Sequence, residues 1–106
     1  MNAKELAAYV TDQLSGLSGV RSRPMMGGYV FYYREKIIGG IYEPGFLLKD
    51  VPAARAAMPG AELTPVEEGG APKMLTCTIL DDREAMQAMV TAMWPELPER
   101  KKKGKP

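Results

Sequence analysis

RPMMGGYVFYYREKIIGGIYEPGFLLK, residues 23–49, decides how this chain folds. Tyr29–Tyr33 and Lys36–Tyr42 are two runs rich in aromatic and β-branched residues. Such residues pack well on a pleated surface, so each run reads as a strand. Arg34-Glu35 between them is a polar two-residue turn that lacks the usual glycine. Pro44-Gly45 is a strong turn signal, and Phe46–Lys49 follows as a short further strand. Upstream, Val20–Met26 reads as the first strand. Its Pro24 cannot donate to a ladder and belongs at an edge or a bulge. Gly27-Gly28 allows a turn or a close approach of backbone, and Gly39-Gly40 interrupts the third strand.

Helices flank this block. Asn2 and Glu5 have the spacing of a capping box, and Leu6, Tyr9, Val10, Gln13 and Leu14 follow helical periodicity, so a helix is expected over Ala3–Ser15. Asp50 can cap a second helix that tolerates Pro52 in its first turn and runs to Met58, where Pro59-Gly60 stops it. Glu62–Glu67 and Lys73–Leu80 flank Gly69-Gly70 and read as a hairpin with Glu67-Glu68 at its tip. Leu75, Cys77 and Ile79 form its inward side. Asp81 and Glu84 mark a last helix, whose apolar stripe is Met86, Met89, Val90, Met93 and Trp94, ended by Pro95 and Pro98. The order α-β-β-β-(β)-α-β-β-α with short connections implies an α+β domain, an antiparallel sheet with helices packed on one face. Residues 1–97 form the domain, and residues 98–106 a basic tail expected to be disordered.

Composition excludes several chemistries. There is no histidine, so neither a Ser-His-Asp nor a Cys-His centre can be assembled from this chain. Cys77 is the single cysteine, which rules out an intrachain disulfide and a four-thiolate zinc site. No catalytic residue, metal or cofactor is assigned. No apolar run approaches the roughly 20 residues of a membrane span, and the first residues lack the pattern of a signal peptide, so a cytoplasmic protein without membrane contact is expected. The net charge of +1 hides an asymmetry. Arg100–Lys105 holds five of the 14 basic residues and no acid, which leaves residues 1–99 with nine basic against 13 acidic, a balance of −4.

Arg23, Met25-Met26-Gly27-Gly28, the aromatic strand Tyr29–Tyr33, the apolar strand Lys36–Tyr42 and Phe46-Leu47-Leu48-Lys49 occur in the order seen in one family. With the methionine-led strand at Lys73-Met74-Leu75-Thr76-Cys77 and the helix over Asp82–Trp94, residues 4–94 resemble the TfoX amino-terminal domain, named for bacterial competence regulators. Three positions depart from that pattern. Met26 stands for a phenylalanine, Val30 for a glycine and Leu47 for a tyrosine, all apolar exchanges at expected packing positions. The resemblance implies a fold like the type III secretion chaperones and a regulatory role without agreed catalytic residues.

Two candidate sites emerge. Arg21 and Arg23 with Gly27-Gly28 could form an anion-binding concavity, to which Lys49 adds a charge; the structural alternative is a plain turn between strands. Tyr29, Phe31 and Tyr33 with Ile37 and Ile41 are the candidate interface of a homodimer built on the sheet, since helices can cover only one of its faces. The favoured function is a non-enzymatic regulatory or interaction domain acting through an unidentified protein partner. The alternative is a direct nucleic-acid binder using Arg21/Arg23, Lys49 and the tail, against which the acidic body weighs.

Overall fold

The structure, a computed structural model, describes residues 1–66 and 73–99. Chain order is α1 (Ala3–Gln13), β1 (Val20–Met25), β2 (Gly28–Tyr33), β3 (Lys36–Tyr42), β4 (Gly45–Leu48), α2 (Pro52–Ala57), β5 (Leu63–Pro65), β6 (Lys73–Thr76) and α3 (Arg83–Met93), with a 3₁₀ turn at Trp94–Glu96. The six strands form one antiparallel sheet in the order β1-β2-β3-β4-β6-β5. The fold is therefore the α+β arrangement expected. The expected hairpin tip at Glu67-Glu68 and Gly69-Gly70, and the tail Arg100–Pro106, lie outside the described residues.

Hairpins built by two-residue turns set the register of the first half. Arg34 and Glu35 both adopt left-handed backbone, with φ of 48° and 75°. Primed turns need this, because their twist matches that of the flanking strands. The Arg34 N–H donates to the Gly19 carbonyl at 3.0 Å, continuing the β1–β2 ladder beyond Val20. Pairs in an antiparallel ladder alternate between bonded and non-bonded. Arg21, Arg23 and Met25 thus turn their backbone groups toward β2, while Val20, Ser22 and Pro24 turn theirs outward. Pro24 sits on an edge strand where its missing N–H interrupts no ladder bond.

A bulge decides which side chains face the helices. Phe31 pairs with Gly39 and Tyr32 with Ile37, which leaves Ile38 as the extra residue. Ile38 and Ile41 both lie in the core although they stand three positions apart, an odd step that would put them on opposite faces of a regular strand. The helix-covered face carries Tyr29, Phe31, Tyr33, Ile38, Ile41, Phe46, Leu48 and Leu75, packed against Val10, Leu14 and the α3 stripe Met86, Met89, Val90 and Met93. Phe31 and Phe46 meet edge to face with centroids 5.7 Å apart. The opposite face carries Val30, Tyr32, Ile37, Leu47 and Met74.

Each long helix takes a terminal cation from elsewhere in the chain. Neither α1 nor α3 has a basic residue in its last turn. At the end of α1, Arg83 donates to the Asp12 carbonyl at 2.8 Å and to its carboxylate at 2.9 Å, while the Gln87 amide reaches the Gln13 carbonyl at 2.9 Å. Past α3, Lys36 donates from β3 to the Trp94 carbonyl at 3.1 Å, with its ammonium 4.0 Å from the indole centroid. Positive charge is favourable at the carbonyl end of a helix, so these contacts join helices to sheet and to each other.

Several local readings change. Asn2 and Glu5 do form the capping box, but α1 ends at Gln13 rather than Ser15. Val51, not Asp50, is the N-cap of α2 and makes no side-chain bond; the Asp50 carboxylate is held by Arg55 at 2.6 and 2.8 Å. A two-point guanidinium contact outcompetes a single cap bond for the same oxygens. That contact also lowers the Asp50 carboxyl below the ordinary aspartate value. Asp82 caps α3 instead of Asp81, whose carboxylate accepts the Tyr9 hydroxyl at 2.6 Å.

Candidate functional site

The β1–β2 turn is Met26-Gly27, with φ of 50° and 84°. Gly28 is not part of it and pairs with Met25 as the first residue of β2. The two adjacent glycines serve different ends. Gly27 supplies the second left-handed residue, and a Cβ there would meet nothing within 4 Å. A Cβ on Gly28 would run into the Ile41 carbonyl oxygen. The hairpin is thereby seated close against β3.

Met26 is a side chain out of place. Asparagine, aspartate or glycine ordinarily fills this turn position, and a left-handed backbone costs an ordinary residue about 1–2 kcal/mol. Its side chain is 96% exposed, so no packing within the chain offsets that cost. Met25 is 50% and Met1 80% exposed beside it. The expectation that Met26 occupies a packing position is corrected here, whereas Val30 and Leu47 are buried as expected.

A recess of about 870 Å³ opens beside this tip. Its walls are Met1 and Asn2, Ala3 and Leu6 of α1, Met25–Val30 of the hairpin, Ile41 and Tyr42 of β3, the Glu43–Gly45 turn and Val66. A smaller recess on the other flank of the tip is bounded by Asn2–Lys4 and Pro24. The wall of the larger one is mixed, with apolar side chains such as Leu6, Met25 and Ile41 beside polar surface nearly as extensive, Asn2 and Glu43 included. Tyr42 lies across Gly40, its hydroxyl 3.0 Å from where a Cβ would stand, and burial pushes its phenol up from the ordinary value.

The residues singled out in the sequence are scattered by the fold. Gly27 and Gly28 line the recess. Arg21 lies four residues up β1 from Met25, roughly 13 Å away along the strand. Its guanidinium sits 4.4 Å over the Tyr32 ring and 3.5 Å from the Glu35 carboxylate, at the opposite end of the hairpin. Arg23 pairs with Val30 midway along the strand. Lys49 follows β4, three strand spacings from β1 and roughly 14 Å across the sheet, and its backbone bonds to Ile38. These groups do not converge, and the anion concavity is not built.

The candidate dimer interface is also corrected. Phe31, Tyr33 and Ile41 are 0%, 7% and 1% exposed beneath the helices, and Tyr29 is half-buried against the same core. Ile37 alone of the five lies on the opposite face, paired with Tyr32. That face does not present a large apolar patch either. Among the described residues the exposed large hydrophobics are Met1, Met25, Met26 and Leu63. Val30, Tyr32 and Leu47 are buried, and Arg21 lies over Tyr32.

Cys77 is placed away from the recess. Its thiol donates toward the Met86 sulfur at 3.7 Å, and burial pushes its pKa up, the reverse of what a nucleophilic thiol needs. No group of three or more acidic, cysteine or histidine side chains is arranged to hold a metal ion among the described residues, and no helix among them is long and apolar enough to cross a membrane. No family model, curated protein or solved structure matches the chain. The tip and its recess combine two features of a binding surface: apolar side chains held out to solvent at a conformational cost, and a concave wall to receive a partner.

Proposed function

We propose that this chain is a non-enzymatic interaction domain of the TfoX amino-terminal type, a cytoplasmic regulatory module in competence or transcription that acts by binding protein. The observation that carries this reading is the Met25–Met26 tip, exposed and left-handed at Met26, at the rim of a recess of mixed polarity. Fully burying one methionine side chain is worth about 1.5–3 kcal/mol, so a tip of this kind contributes most when a partner covers it. Methionine suits the role because its flexible thioether adapts to the surface it meets. The family resemblance supports the regulatory setting. The direct nucleic-acid reading gains no such support, since Arg21 is engaged by Glu35 and Tyr32, and Lys49 stands apart.

The test is capture from an extract of the native cell on immobilised wild-type chain and on Met26→Asp, with retained proteins identified by mass spectrometry. A protein held by the wild type and lost with the variant is the expected result. Identical sets on both surfaces, or duplex DNA retained in a salt-dependent manner, would count against the proposal.

A further inference from the structure

We propose that the occupant of the recess is a second copy of this chain, each copy seating its Met25–Met26 tip in the other's recess. This rests on the reading of the tip and recess as an interaction surface. A two-fold interface uses the same patch on both subunits, so a projection must lie beside the hollow that fits it. Here they adjoin: Met25 and Met26 form the ridge between the larger and the smaller recess. Three of the four exposed large hydrophobics among the described residues lie at this one place.

The charges on the two flanks have the same self-complementary arrangement. Lys4 borders the smaller recess and Glu43 the larger, both exposed, and neither makes an ion pair among the described residues. A two-fold axis lying in the interface between the tip and the larger recess sets each tip opposite the other copy's larger recess, and the smaller-recess flank opposite the far rim of the larger one. Lys4 then faces Glu43 of the second copy, and the reverse pair forms by symmetry. Like charges never meet in this arrangement.

The alternative two-fold contact, β1 against β1 at the sheet edge, is opposed by its own residues. Centred on Ser22, it would set Val20 against Pro24, which has no N–H to give, and Arg21 against Arg23, two cations on one face. Size sets the expected strength. Sixteen residues line the larger recess, below the roughly 20–30 a side of a standard interface. The pair should be reversible, with a dissociation constant on the order of micromolar or weaker.

The experiment is sedimentation equilibrium from about 5 to 500 µM, a range that spans such a constant. The wild type should show a monomer–dimer equilibrium, and Met26→Asp should weaken it about tenfold or more, as expected for a central apolar anchor. Aspartate suits a left-handed turn, so this variant should melt no lower than the parent, which separates association from folding. Lys4→Glu and Glu43→Lys should each weaken the dimer, and the double exchange should restore it to within about twofold, the signature of a direct pair. A wild type that remains monomeric, a dimer indifferent to Met26→Asp, or a double exchange that fails to restore association each overturns the inference. A monomeric wild type that still captures a cellular protein through Met26 overturns the dimer and leaves the proposed function standing. A monomer without Met26-dependent capture refutes both.

Discussion

Gly27→Ala and Gly28→Ala, made separately, should differ sharply in cost although the residues are neighbours. At Gly27 an alanine meets nothing within 4 Å and suffers only from its φ of 84°. That is about 1–2 kcal/mol of left-handed strain, reduced by about 0.4–1 kcal/mol because alanine also restricts the unfolded chain. The net loss should be near 1 kcal/mol, or roughly 4–8 °C in Tm for a domain of this size. At Gly28 the added Cβ falls on the Ile41 carbonyl oxygen, with the Ile41 carbonyl carbon at 3.2 Å. Both belong to backbone and cannot rotate away, so β2 must lift from β3 beside the Tyr29–Ile41 pair. Losing two ladder bonds at about 1 kcal/mol each, with some residual angle strain, gives about 2–3 kcal/mol and roughly 10–20 °C. Gly60→Ala, with no close neighbour and no left-handed backbone, is the control and should be neutral within about 0.5 kcal/mol. Thermal and urea unfolding followed by circular dichroism would measure all three. Asparagine, which tolerates left-handed backbone, should rescue position 27 but not position 28. Equal losses at both positions, or a benign Gly28→Ala, would refute the claim that the hairpin is seated by close approach to β3.

Lys36→Met should lower stability by about 1–1.5 kcal/mol, because it removes a cation both from the Trp94 carbonyl and from the face of its ring; Lys36→Arg should recover most of the loss in the same urea titrations. The Cys77 thiol should react with a neutral-pH thiol reagent about tenfold or more slowly than an unstructured cysteine, and at the full rate once urea unfolds the chain; fast labelling of the folded chain would contradict its burial against Met86. Arg55 holds the Asp50 carboxyl below its unfolded value, so its contribution is fully present above that value, about 3.9, and disappears as pH falls through the lower folded value. Asp50→Asn should accordingly be slightly less stable than the parent near neutral pH and should lose less of its stability on acidification, as read from urea midpoints across the acid range.

Much of this fold is legible in local chemistry. The methionine and valine positions of α3 declare their buried stripe by spacing alone, and Pro24 declares an edge because it cannot complete a ladder. The site is far less legible, and the reasons are particular. A strand's faces alternate residue by residue, so one bulge at Ile38 undoes a face assignment carried across β3 by parity. The five residues expected at an interface accordingly divide, with Tyr29, Phe31, Tyr33 and Ile41 turned to the helices and Ile37 away from them. Arg21, Arg23 and Lys49 look like a group only along the chain; the sheet order places two strands between β1 and β4. Met26 was hidden by its hydrophobicity. Placed at the end of a strand it reads as packing, yet two central residues joining two strands require a primed turn, and Met-Gly fills that slot here. A strict count of the residues between Met25 and Gly28 is the signal that could have exposed it.

The most direct test of the account is an amide ¹H–¹⁵N correlation experiment on the wild-type chain, recorded across the dilution series used for sedimentation. If association runs through the tip, concentration-dependent shifts will gather at Asn2–Leu6, Met25–Gly28 and Tyr42–Gly45, while Val30, Ile37, Leu47 and Met74 on the face away from the helices stay still. Shifts centred on that face, or along the outer edge of β1, would contradict the tip as the binding surface.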